Sequence, residues 1–196
     1  MNVRVCAAVE AELGVLPGQV LGVGAVVAAV AAGRFLALER PDAVVLVGTA
    51  GAYAGGPAVG TVVAASELGL ASTAAALGLG YVPCAPGILF AHPELLSRAE
   101  LRVARVLTAL AITTDAALAE KHAAEWEVEH MEAYAVAWAC AQAKIPFLAV
   151  LGIANRVGPG AHDEWVRNRA AAQLAAQNAV ARLIVGATGG ASPPVS

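Results

Sequence analysis

Aromatic side chains are scarce, with three Trp, three Tyr and three Phe in 196 residues. The apolar fraction rests instead on Ala, Val and Leu. Charge is thin as well: Asp, Glu, Lys and Arg make up 14% of the chain against 59% hydrophobic residues, and the formal net charge is -3. The few cations are not clustered, which argues against a nucleic-acid polymer as partner, because neutralising phosphates takes grouped Lys and Arg. The three cysteines, Cys6, Cys84 and Cys140, stand far apart without metal-ligand spacing. They read as buried, reduced thiols of a cytosolic protein rather than as a metal site. There is no Gly-x-Ser-x-Gly elbow and no cysteine in a catalytic setting, which leaves a covalent hydrolase little support. No secretory leader is expected, since residues 1–5 read as a strand and Glu10 and Glu12 interrupt the apolar run after it.

One stretch does lack charge. Residues 43–66 are long enough to span a bilayer. Gly48, Gly51, Gly55, Gly56, Pro57 and Gly60 divide that run into two short Val-rich pieces, so it reads as two buried strands joined by glycine-rich loop rather than a membrane span.

The length suits one domain with a sizeable core, expected over 1–186 with a flexible tail at 187–196. Short Val/Leu/Ile runs alternate with longer Ala-rich segments. Strands are predicted at 3–9, 20–24, 44–47, 61–65, 106–113 and 146–153, and 68–89 reads as loop of undetermined strand content. Helices are predicted at 25–39, 93–103, from 115 to 123, at 132–143, and at 164–185 with Asp163 as cap. The alternation predicts an α/β fold around a buried, mostly parallel sheet, with ligands at the carboxyl ends of strands.

Several polar residues fall at such ends. Glu10 and Glu12 follow the first strand. A carboxylate there can take a proton from water, or it can be an ordinary first-turn helix acid. The loop Gly48-Thr49-Ala50-Gly51 has residues small enough for backbone amides to approach a ligand, but it is not a Walker loop or a dinucleotide fingerprint. Glu132 opens an apolar helix, either as a solvated first-turn acid or as an acceptor for a sugar diol. His130 could be a surface residue, a metal ligand or a base. Asn155 follows an apolar strand, where it can cap a turn or read a purine edge. His162 and Trp165 lie close behind it.

Five segments in order carry a resemblance: Ala8-Val9-Glu10-Ala11-Glu12, Val47-Gly48-Thr49-Ala50-Gly51, Val59-Gly60-Thr61-Val62-Val63, Glu129-His130-Met131-Glu132-Ala133, and Gly152-Ile153-Ala154-Asn155 with Val157-Gly158. Over about 3–183 the chain resembles the purine nucleoside phosphorylase and nucleosidase superfamily. Within it, the spacer between Glu129 and Met131, and Asn155-Arg156-Val157-Gly158-Pro159 followed by Trp165, look most like the futalosine hydrolases.

The resemblance implies a three-layer sandwich around a central mixed, mostly parallel sheet, of the phosphorylase/hydrolase type. It implies that Glu12 activates the attacking water, that Met131 and Glu132 hold the ribose, and that Thr49, Ala50 and Gly51 line the sugar. Thr114 would lie near the base, with Trp165 also on the substrate. Asn155 stands where adenine-specific nucleosidases carry Asp. Its amide can donate to a 6-oxo group and accept from a protonated N7, favouring hypoxanthine or guanine. The arginine found before the glycine segment in bacterial phosphorylases is missing, since Val44-Val45-Leu46-Val47 precedes it, which favours hydrolysis.

The chain departs from the pattern at Ala133, Ala154 and Gly160, and at Ala116-Ala117, where an aromatic often stacks on the base. The resemblance thus implies a cytoplasmic N-ribosyl hydrolase releasing hypoxanthine from futalosine, with no cofactor, and a homo-oligomer of two or more chains. A methylthioadenosine/S-adenosylhomocysteine nucleosidase, a purine nucleoside phosphorylase and a non-catalytic nucleoside binder remain as alternatives.

Overall fold

The computed structural model describes residues 1–84 and 86–188. In chain order the elements are β1 Val3–Ala7, α1 Glu10–Leu13, β2 Gly18–Val20, α2 Ala25–Glu39, β3 Ala43–Ala52, β4 Val62–Leu70, α3 Thr73–Ala76, β5 Leu89–Phe90, α4 Pro93–Ala99, β6 Arg102–Thr108, α5 Ala116–Ala123, β7 Val128–His130, α6 Ala133–Ala143, β8 Phe147–Arg156 and α7 Ala161–Thr188.

The strands form one mixed sheet, as expected. β1–β2, β1–β3, β3–β8, β4–β6 and β6–β7 pair in parallel, whereas β3–β7, β4–β5 and β4–β8 are antiparallel. The alternation of elements did not foretell closure. β3 carries β8 on one edge and β1 then β7 on the other, so β3, β8, β4, β6 and β7 complete a barrel-like circuit.

Both faces of the central strands are covered. Val44 and Leu46 of β3, with Ala149, Leu151 and Ile153 of β8, pack in the cluster beneath α2 and α6. Val45 and Val47, with Leu148 and Val150, pack in the cluster beneath α7 and α4. Successive side chains of a strand point to opposite faces. A run that is apolar at every position therefore fits only a sheet clothed on both sides.

Some expected boundaries move. The glycine segment 48–51 is not a loop, because β3 runs through it to Ala52. Asn155 is not beyond its strand but inside it, since β8 continues to Arg156. Asp163 is not a cap: α7 begins at Ala161 and holds Asp163 in its first turn. Segment 68–89 contributes the end of β4, the short α3 and β5. Cys6 and Cys140 are buried as expected, but Cys84 is exposed. α7 extends through Thr188, and the rest of the expected tail, 189–196, lies outside the described residues. Among the described residues no helix is long and apolar enough to cross a membrane, and no three His, Cys, Asp or Glu side chains are grouped to hold a metal ion.

Candidate active site

A cavity of about 330 Å³ opens at the end of the sheet, and its wall brings together Glu12, Thr49, Ala50, Gly51, Met131, Glu132, Asn155 and Trp165. Thr114 is not among them. It is exposed, and Ile112 lines the cavity from that segment instead. Ala116 and Ala117 do not reach the wall, so its aromatic character comes from Trp165 and His162 on α7, whose rings stack at 5.9 Å.

Glu12 lies in the single turn of α1 between β1 and Gly14 and is buried, whereas Glu10 beside it is exposed. Its Oε1 accepts from the Thr49 backbone N–H at 2.8 Å and from the Thr49 hydroxyl at 3.0 Å. The same hydroxyl accepts from Trp165 Nε1 at 3.1 Å. A relay therefore runs from indole to hydroxyl to carboxylate. Burial raises the Glu12 carboxyl above the ordinary carboxylate range, with a smaller push from the Glu132 charge. His130 and the two Thr49 bonds oppose it. A carboxyl held up in this way is suited to taking a proton near neutral pH.

Thr49→Val is expected to cost about 1–3 kcal/mol, because it strands the indole N–H and removes one of two donors to Glu12. Calorimetry checks this; an unchanged melting temperature would mean that the relay carries no stability.

Glu132 stands immediately before α6. Its Oε1 accepts from the Gly24 backbone N–H at 2.6 Å, which ties it to the start of α2. His130 closes β7 and is also buried. Its Nδ1 accepts from the backbone N–H groups of Glu132 at 3.0 Å and Ala133 at 3.1 Å. A nitrogen that accepts twice carries no proton, so the ring is the Nε2–H tautomer. The 3.3 Å approach of Glu132 Oε2 to that same Nδ1 is for this reason not an ion pair.

Asn155 owes its position to an irregularity. The β3–β8 register runs Ala50 to Ile153 and then Gly51 to Asn155, skipping Ala154. Strict alternation would put Asn155 on the face of Leu151 and Ile153, under α2 and α6. The extra residue turns it to the face of Thr49 and Gly51, a use of the β-bulge common beside functional sites. Gly51 leaves room for it, because a Cβ there would lie 2.9 Å from Asn155 Nδ2. Nδ2 donates to the Arg156 carbonyl at 2.9 Å. That carbonyl can only accept, which fixes the amide orientation and leaves one N–H and Oδ1 for a ligand.

Two buried residues of the wall carry roles that sequence pattern alone does not assign. Glu129 accepts from the Tyr53 hydroxyl at 2.8 Å and from the Thr113 backbone N–H at 3.0 Å. Burial, with the Glu129 charge, pushes the Tyr53 phenol well up, so it stays a donor. The other is His130. The available signal for β7 was Val128 followed by two polar residues, Glu129 and His130, but so short a strand has no pattern of its own.

A family profile, the phosphorylase superfamily, matches residues 13–187. The chain belongs to the phosphorylase superfamily. Among solved structures, a 5′-methylthioadenosine/S-adenosylhomocysteine nucleosidase from Colwellia psychrerythraea 34H, in complex with adenine, superposes with a TM-score of 0.83 at 21% identity, covering 94% of this chain and 95% of that one. The Neisseria meningitidis nucleosidase, in complex with methylthio-immucillin-A, gives 0.79 at 22% identity, covering 94% and 98%. The S-adenosylhomocysteine nucleosidase of Streptococcus pyogenes, in complex with 5-methylthiotubericidin, gives 0.83 at 19%, covering 95% and 97%. At these identities the likeness establishes the shared fold of this superfamily member. No curated protein matches the sequence significantly.

Proposed function

We infer that this superfamily member is an N-ribosyl hydrolase that cleaves futalosine and releases hypoxanthine, a step of menaquinone biosynthesis. The observation that carries the reading is that Glu12, Glu132 and Asn155 share the wall of one nucleoside-sized cavity. Glu132 accepts from a ribose hydroxyl and stabilises positive charge developing on the sugar. Glu12 takes a proton from water as the water oxygen bonds to C1′. The C1′–N9 bond breaks with its electron pair passing to the base, which takes up a proton from solvent. Met131, with Thr49, Ala50 and Gly51, lines the sugar, and Asn155 faces the oxopurine. Arg169 lies over the Trp165 ring at 4.9 Å and offers that aromatic wall a cation for the carboxylate end of futalosine.

Hydrolysis is favoured over phosphorolysis because no arginine lines this cavity. The methylthioadenosine nucleosidase reading is the second one, and it draws on the solved neighbours. Against it stands the amide at Asn155, whose free N–H suits a 6-oxo rather than a 6-amino group. A homo-oligomer also fits, since Val26, Val30 and Leu38 of α2 are exposed and Val23 just before them lines the cavity.

Incubation with futalosine, methylthioadenosine and inosine, with and without phosphate, followed by chromatography of the freed base, tests the assignment. Hypoxanthine from futalosine without phosphate is expected. Base from inosine only when phosphate is present would overturn it.

A further inference from the structure

Most polar groups of the cavity wall are already engaged by the protein, but His130 has one that is not. Its Nδ1 is taken up by the two backbone N–H groups that open α6. The proton is on Nε2, and among the described residues nothing accepts it. The side chain is only 3% exposed and lines the cavity. A donor so nearly enclosed and open only to the cavity takes its acceptor from whatever enters there.

The place it looks onto is defined by Gly48. A Cβ on Gly48 would stand 3.1 Å from His130 Nε2 and 3.4 Å from Glu12 Oε1. Donor and carboxylate thus border the same space across bare glycine backbone. Glu132 cannot take the proton, because its Oε2 faces the other ring nitrogen.

We propose that His130 is a catalytic residue that fixes the nucleophilic water together with Glu12. The proposal rests on the hydrolase reading above. Nε2–H donates to one lone pair of the water, and Glu12 accepts one of its protons. Two of the water's four hydrogen-bonding sites are then held, and its second lone pair is free to meet C1′. When the bond to C1′ forms, the water's proton passes to Glu12 and the base leaves with the electron pair. His130 keeps its own proton throughout. It acts by orientation, removing positional freedom that the water would otherwise lose in the transition state.

A purely structural role is the competing account, since Nδ1 also satisfies backbone groups at the start of a helix. Two variants separate the roles. In His130→Asn the side-chain oxygen takes the place of Nδ1 and keeps the cap, but nothing replaces Nε2–H. In His130→Gln the amide nitrogen reaches the place of Nε2. With futalosine as substrate, His130→Asn is expected to lower kcat by on the order of 10²-fold, with KM and the melting temperature nearly unchanged. His130→Gln is expected to recover about tenfold of that loss. The assignment is overturned if His130→Asn keeps kcat within about threefold of the unaltered chain, or if kcat in both variants simply follows thermal stability. Should His130→Asn not fold, Gly48→Ala decides, because it fills the shared space and leaves the cap intact: a kcat lowered with the acid limb of the pH profile unmoved supports the proposal, and any other result overturns it. If the unaltered chain releases no base from any of the three nucleosides, the hydrolase reading falls and takes this proposal with it. If it releases base and His130→Asn does so equally well, only the role of His130 falls.

Discussion

Glu12→Gln is expected to lower base release by about 10²–10⁴-fold, the range of a lost general base, and to raise the melting temperature at neutral pH. The two effects have one cause. Burial holds the Glu12 carboxyl above its ordinary value, so the folded chain keeps that proton more tightly than the unfolded chain does. Stability tied to such a group is present in full below the unfolded value and is lost as pH rises through the raised one. Wherever Glu12 is ionised the native protein holds a buried carboxylate at a cost, and glutamine removes that cost. The Thr49 backbone N–H still finds an acceptor in the amide oxygen. Calorimetry should show the variant melting higher at pH 7, with the gap closing as the pH falls toward 4. A variant that melts lower at pH 7 would mean that the charged bonds to Thr49 outweigh burial. In the active enzyme, kcat/KM should fall on the acid side as Glu12 becomes protonated. That limb should be absent from whatever activity the variant retains.

Asn155→Asp is expected to shift the ratio of kcat/KM for 6-oxo over 6-amino nucleosides by about 10²-fold or more toward the amino compounds. Sites built to hydrogen-bond a substrate group discriminate strongly against a partner that leaves them unpaired. The present amide spends one N–H on the Arg156 carbonyl and keeps a donor and an acceptor. A carboxyl group accepts from a 6-amino group through its carbonyl oxygen, and that oxygen repels a 6-oxo group. It would also set an oxygen against the Arg156 carbonyl, which favours the protonated form of the new side chain. A proton held there can be given to the leaving base, so the variant should process adenine nucleosides better in absolute terms, not only in ratio. Competition assays with paired 6-oxo and 6-amino nucleosides measure this directly. An unchanged ratio would place base selection elsewhere in the wall, with Ile112, His162 and Trp165 as the residues left to account for it.

Much of the chain could be read from local pattern. The helix at 25–39 matches α2 at both ends, because Gly24 and the left-handed Arg40 before Pro41 punctuate an Ala-rich run that carries its one internal glycine, Gly33, without breaking. The strand at 44–47 and the one at 146–153 could be recognised because apolar residues at every position suit a sheet buried on both faces. Their carboxyl ends differ from expectation for a common reason. Glycine and asparagine usually mark turns. Here Gly48 and Gly51 stay in β3 through their pairing with β8, and glycine suits them because His130, Glu12 and Asn155 crowd the positions where side chains would be. Residues of the cavity wall were legible as types near strand ends, and the ordered segments named Glu12, Met131, Glu132 and Asn155 among them. Thr114 is not part of that wall, which takes Ile112 from the same segment.

The sequence by itself determined the alternation of buried strands and Ala-rich helices, and the superfamily that this pattern and its five segments belong to. Those features are set by contacts near in the chain and by side-chain chemistry that periodicity exposes. Only the tertiary structure decided which groups share a cavity and how each is turned. One skipped residue at Ala154 reverses the face of Asn155. A three-residue strand, held between β3 and β6, brings His130 over Gly48 beside Glu12. Both depend on pairing between segments distant in sequence. A register change of one residue leaves composition untouched yet moves a side chain to the other side of the sheet.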